Sequence, residues 1–135
     1  MTEEWVKWKP LPDLSNSYYI DEILDRIKNF NFLLTDYNDE RKKLRVIFEH
    51  SVDAYRSTDE SYRQKTLYDL GNKHGTEFTK WTFFKVYNSS YIQWLSEDSY
   101  EFLDKDSFTH FCFIAADSIL DVVTNYEPRF ESFVE

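Results

Sequence analysis

Phe30-Asn31-Phe32-Leu33-Leu34 and Leu44-Arg45-Val46-Ile47-Phe48 flank a polar stretch running from Asp36 to Lys43. Phe30, Phe32 and Leu34 alternate along the first run, and Leu44, Val46 and Phe48 along the second. Side chains of a strand point to opposite faces in turn. Alternation on both flanks of a polar turn therefore predicts a β-hairpin with its apolar side inward. In this reading Arg41-Lys42-Lys43 belongs to the turn, and the second strand is allowed to continue through Val52 and Ala54 to Tyr55.

Working outward towards the C-terminus, Thr58 and Asp59 are helix-capping residues and Gly71 is a natural helix stop, with Tyr62, Leu67 and Leu70 on one side. Residues 72–79 read as a loop around Gly75. Trp81 to Tyr87 is rich in strand formers with apolar residues on both faces, which predicts a central strand. Asn88, Ser89 and Ser90 then offer caps for a helix carrying Tyr91, Ile92, Trp94 and Leu95. Residues 96–107 read as an acidic loop. Phe108 to Ile114 predicts a strand, with Ile119 to Thr124 as its hairpin partner across Ala116-Asp117-Ser118. The spacing of Ile119, Val122 and Val123 also fits a helix.

Towards the N-terminus, Ile20, Ile23, Leu24 and Ile27 repeat at helical spacing with acids in the first turn. A short amphipathic helix over 18–28 is the favoured reading and an extended segment the alternative. Residues 1–17, with Pro10, Pro12 and Ser15-Asn16-Ser17, read as an irregular lead-in to a single globular domain over 18–135. The fold class expected is α+β: an antiparallel-dominated sheet of four to five strands with two to three helices packed on it.

The chain has 135 residues, of which 19% are aromatic, and only two glycines and three prolines. That composition suits a packed, aromatic core. Residues 1–12 hold charges and two tryptophans without a continuous apolar stretch, so neither a secretory signal nor a membrane span is expected. A single cysteine, Cys112, suits a reducing compartment, and the cytoplasm is the expected location.

Charge is unevenly placed. Ten carboxylates lie between Leu95 and Glu135, against Lys105 and Arg129 alone, so nearly all of the net charge of −9 belongs to this part of the chain. Nucleic-acid binding calls for clusters of Lys and Arg and is not expected. A concentrated acidic surface instead steers a cationic partner.

Catalytic and cofactor motifs are missing from the sequence. Phosphate-cradling glycine loops and the G-x-S-x-G elbow are absent, and the three histidines, His50, His74 and His110, form no ligand-spaced pair. His110 reads as a hydrogen-bonded residue at the edge of the core. Cys112, within an apolar strand, reads as a small buried hydrophobe. Asp104-Lys105-Asp106 lacks the glycine and the terminal glutamate of a calcium loop. No cofactor and no metal are expected. Paired acids such as Glu97-Asp98 read as solvated loop residues. The aromatic block Trp81, Phe83, Phe84, Tyr87, Tyr91 and Trp94 staples a strand to the next helix, with Trp81 or Tyr87 facing outward as an interface anchor.

Three stretches together carry a resemblance. They are Tyr55-Arg56-Ser57-Thr58-Asp59-Glu60, Trp81-Thr82-Phe83-Phe84-Lys85-Val86 running into Asn88-Ser89-Ser90-Tyr91-Ile92-Gln93-Trp94, and Asp121-Val122-Val123 with Tyr126-Glu127-Pro128. Over roughly residues 44–130 the chain resembles small bacterial immunity proteins found beside polymorphic toxins. The resemblance implies a cytoplasmic inhibitor of a cognate toxin domain, often a basic nuclease, with no catalytic residues of its own.

Three functional readings follow. The first is a non-enzymatic protein-binding module that meets a basic protein through Glu97, Asp98, Glu101, Asp104 and Asp106, anchored by Trp81 and Tyr87. The second is a small-ligand-binding protein or enzyme with an aromatic cleft at Trp81, Tyr91 and His110. The third is a homo-oligomeric structural protein that self-associates through an aromatic patch.

Overall fold

In the computed structural model, which describes residues 2–135, the hairpin at residues 30–48 forms as its alternation requires. Strand β3 (Phe30–Asp36) pairs with β4 (Lys42–Phe48), Phe32 opposite Val46 and Leu34 opposite Leu44. Asp36 turns the chain by accepting the Asn38 amide at 2.8 Å, and Asp39 accepts that of Arg41 at 3.1 Å. Short acidic side chains that bond their own backbone are what a polar turn needs. Lys42 and Lys43 lie in β4 rather than in the turn.

Around this hairpin, β2 (Tyr18–Asp25) and β9 (Arg129–Val134) complete a four-stranded antiparallel sheet in the order β2-β3-β4-β9. A second antiparallel sheet takes β1 (Glu4–Lys7), β6 (Phe83–Tyr87), β7 (Thr109–Ile114), β8 (Ser118–Thr124) and β5 (Ala54–Asp59), in the order β1-β6-β7-β8-β5. The α-helices are α1 (Gln64–His74) and α2 (Ser90–Asp98), supplemented by short 3-10 turns. The α+β class expected from sequence is therefore found, but with two sheets in place of one.

The second sheet arises because the chain breaks after Phe48. The strand does not run on to Tyr55; residues 49–53 lead across to β5, which pairs with β8 in the other sheet. The facing sides of the two sheets interdigitate through aromatic rings. Phe32 meets Phe113 at 4.8 Å between centroids, Phe48 meets Phe111 at 5.7 Å, and Phe83 meets Phe130 at 6.5 Å. Edge-on packing of this kind is preferred by the ring quadrupoles. Strands β7 and β8 are buried along almost their whole length, since α2 and the turn before α1 cover their other face. Hence they read as near-continuous apolar runs.

Residues 18–28 are not a helix. β2 carries a β-bulge between Ile20 and Glu22, and this shifts the phase of the strand by one. Ile20 then opposes Leu34 and Ile23 opposes Phe32, so side chains three apart share the inner face and imitate helical spacing. Ile27, the fourth member of the pattern, is 93% exposed. The lead-in is also not wholly irregular. Within it β1 pairs with β6, and Trp5 is buried against Phe84 and His110. Helix α1 runs through Gly71 and ends at Gly75, whose φ of 98° suits glycine, and whose amide bonds Gly71 O at 2.9 Å. Among the described residues no helix is long and apolar enough to cross a membrane.

Candidate functional site

β6 ends at Tyr87, Asn88 takes a left-handed φ of 53°, and Ser89 caps α2 by accepting the Ile92 amide at 3.1 Å. This sharp strand-to-helix turn fixes Ser89 directly over β7. Its Oγ lies 2.7 Å from Nδ1 of His110, and Nε2 of the same ring lies 2.6 Å from Oδ1 of Asp121. The other oxygen, Oδ2, accepts from Arg56 Nε and from Arg63 Nη1, both at 2.8 Å. Ser89, His110 and Asp121 are all buried, Asp121 with no exposed surface.

The sheet register builds this chain of contacts. Arg56 on β5 stands opposite Asp121 on β8, and Asp121 stands opposite Cys112 on β7. His110, two residues from Cys112, shares that outward face of the sheet. Arg63 comes down from the 3-10 turn Glu60–Arg63 that precedes α1. The Arg56 guanidinium also lies 4.3 Å from the centre of the Tyr91 ring, and Tyr91 packs edge-on to His110.

Burial on its own would raise the Asp121 carboxyl pKa. The His110 hydrogen bond, with the Arg56 and Arg63 charges, outweighs it and holds the group well below the ordinary carboxylate range. Asp121 is therefore ionised. An ionised carboxylate only accepts, so Nε2 carries a proton towards Asp121; in the neutral ring Nδ1 then accepts from the Ser89 hydroxyl. Burial first, and then the Asp121 charge, push the Cys112 thiol well above its usual value. The ligand-type atoms of His110, Cys112 and Asp121 lie within 4.8 Å of one another. A protonated thiol and a carboxylate already holding two guanidinium groups make a poor cation site.

Above Ser89 opens a groove of about 780 Å³. Tyr87, Gln93, Glu97, Lys105, Asp106 and Glu3 contribute to its walls, and Ser89 to its lining. Glu3 accepts both the amide and the hydroxyl of Ser90 at 2.7 Å, so its carboxylate is tied to the first turn of α2. The groove thus unites three residues singled out from sequence, Tyr87, Glu97 and Asp106. Asp98, Glu101 and Asp104 stand on the adjoining segment from the end of α2 to β7.

That segment carries exposed aromatics as well. Trp94 is 56% exposed, Tyr100 96% and Phe102 92%. Tyr100 and Glu101 both hold left-handed backbone, with φ of 51° and 64°. Two consecutive non-glycine residues in that region are costly and hold the loop in a specific shape. Among the described residues none of Glu97, Asp98, Glu101, Asp104 and Asp106 makes an ion pair.

Other sequence expectations separate. Trp81 is buried and donates its indole N–H to Trp8 O at 3.1 Å, so it offers no anchor to a partner. It packs on Phe83, whereas Tyr91 and His110 pack on each other, and the groove above Ser89 is lined by none of these three residues. The acidic C-terminal part is likewise not one field. Asp121 is neutralised in the core, Glu127 pairs with Lys85 and Glu131 with Arg129, which leaves the 97–106 segment as the unpaired cluster. Ser89 was visible from sequence only as a cap, and Arg56 and Arg63 gave no signal. Asp121 did leave one: a lone acid within Ile119-Leu120-Asp121-Val122-Val123 demands a buried partner.

Compared with known proteins, the chain matches no family model, no curated protein and no solved structure.

Proposed function

We propose that this chain is a protein-binding module that captures a basic protein on the surface formed by the end of α2 and the loop to β7. The role that fits is that of an immunity protein, neutralising a basic toxin domain in the cytoplasm. One observation carries the reading: Trp94, Tyr100 and Phe102 project into solvent among five unpaired carboxylates. Exposed aromatic side chains are costly to leave in water and are the usual anchors of interfaces, while the carboxylates steer and orient a cationic partner. The left-handed backbone at Tyr100 and Glu101 supports it, because strain persists where a loop shape is needed.

Long-range attraction between opposite charges is screened by salt over about 8–10 Å at physiological ionic strength. Association with the partner, followed by stopped flow, will therefore slow steeply as salt rises. Replacing Glu97, Asp98, Glu101, Asp104 and Asp106 by their amides will flatten that dependence. A wild-type rate that is the same at low and high salt would remove the electrostatic half of the proposal.

A further inference from the structure

We propose that Ser89 is the nucleophile of an acyl-transfer site that opens on the acidic groove and takes neutral or cationic esters. The inference goes beyond the protein-binding reading and does not depend on it.

Four features converge. Ser89 Oγ, the His110 ring and the Asp121 carboxylate form one continuous hydrogen-bonded chain at 2.7 and 2.6 Å. Its proton order is set from the buried end. Arg56 and Arg63 keep Asp121 ionised, Asp121 keeps the His110 proton on Nε2, and Nδ1 is left to take the Ser89 proton. A nucleophile touching a base that is oriented by a third group is the general arrangement of activated hydroxyls. The ring is reversed relative to the familiar serine-protease case, where Nε2 faces the serine, but proton transfer is the same from either nitrogen.

The second feature is the turn. Ser89 stands between β6 and α2 behind the left-handed Asn88, a strand-to-helix corner that presents a side chain at a helix N-terminus. The Ile92 amide donates to Ser89 Oγ at 3.1 Å, so the positive end of α2 favours the negative charge that Oγ gains as its proton leaves. Third, Ser89 belongs to the lining of the 780 Å³ groove, so a small substrate held there lies against this residue. Fourth, Glu3, Glu97 and Asp106 outnumber Lys105 around that groove, which disfavours anionic substrates.

In the first step Ser89 Oγ bonds to the ester carbonyl carbon while its proton passes to Nδ1 of His110. The adduct collapses, the ester C–O bond breaks, and the departing alcohol oxygen takes that proton. Water then attacks the acyl carbon, giving a proton to Nδ1; the carboxylic acid leaves, and the proton returns to Ser89. His110 is the general base, and Asp121, Arg56 and Arg63 are positioning residues.

The test is covalent labelling of the full chain with an uncharged fluorophosphonate. Ser89 Oγ displaces fluoride from phosphorus, and the site is mapped by peptide mass spectrometry. The result expected is one label per chain, on Ser89, formed at a rate that rises with pH through a single titration. S89N retains the helix cap, since asparagine caps as well as serine, and will take no label. D121N, judged on folded protein, will shift the pH profile of labelling rather than only its amplitude. H110Q will slow labelling on the order of a hundredfold or more. Absence of labelling, labels scattered over other hydroxyls, or undiminished labelling of S89N would each overturn the proposal. Site mapping on the unsubstituted chain decides the matter even if a variant does not fold.

Discussion

Asp121 sits at zero exposure with three polar contacts converging on it from Arg56, Arg63 and His110, and its removal touches every one of them. Asp121→Asn leaves two guanidinium groups facing a neutral amide. Breaking a buried ion pair from one side costs about 3–5 kcal/mol, and urea unfolding will report that loss as a lower midpoint. A pH dependence follows from the same group. Its folded carboxyl is held below the value of about 3.9 that it has when unfolded. The folded chain thus binds fewer protons than the unfolded one below roughly pH 4. Stability from Asp121 is fully present above that pH and is lost as the pH falls further. Melting temperatures recorded from pH 6 downward will decline more steeply in the unsubstituted chain than in Asp121→Asn. Cys112, wholly buried and with its thiol pushed up, will resist alkylation in the folded protein and react at once in denaturant. The buried nature of Cys112 and His110 was legible from their apolar neighbours. The contacts of His110 were not, because Ser89, His110 and Asp121 become neighbours only through strand register.

The loop from Ser99 to Phe108 and the strand β2 show what local patterns convey and what they hide. Tyr100 is left-handed and almost fully exposed, so glycine there relieves backbone strain and forfeits no burial. Against that stands the greater freedom of glycine in the unfolded chain. Tyr100→Gly will leave stability unchanged or higher by up to about 1 kcal/mol. The same substitution will weaken capture of the partner, and calorimetry beside a binding assay separates the two effects. In β2 the bulge places Ile20 and Ile23 on one face, which is why a helix was the natural reading of their spacing. β9 is faint in the sequence for another reason. It is an edge strand in which five of six side chains are exposed and Phe130 alone is half-buried against the core, so its period-2 pattern is faint. The hairpin of β3 and β4, the strand β7 and the capped helix α2 carried complete local signals, and these formed as expected.

Across the whole molecule, one five-stranded sheet lies between a second sheet and the helices. This layering explains both the deeply buried strands in its middle and the polar network on its outer face. Aromatic abundance announced the core, but no local pattern told whether one sheet or two would enclose it, since β5 changes sheets within five residues. Charge behaved similarly. The excess of acids was plain in the sequence, yet folding pairs several of them and concentrates the remainder beside Trp94, Tyr100 and Phe102. Affinity capture from the native lysate, run in parallel with the unsubstituted chain and with the triple variant Trp94→Ala, Tyr100→Ala, Phe102→Ala, tests the central claim most directly. The prediction is one basic protein held near one-to-one by the unsubstituted chain, released by high salt, and captured at least about tenfold less by the variant. Equal capture of that protein by both baits, or a tightly held partner that is acidic and indifferent to salt, would contradict it.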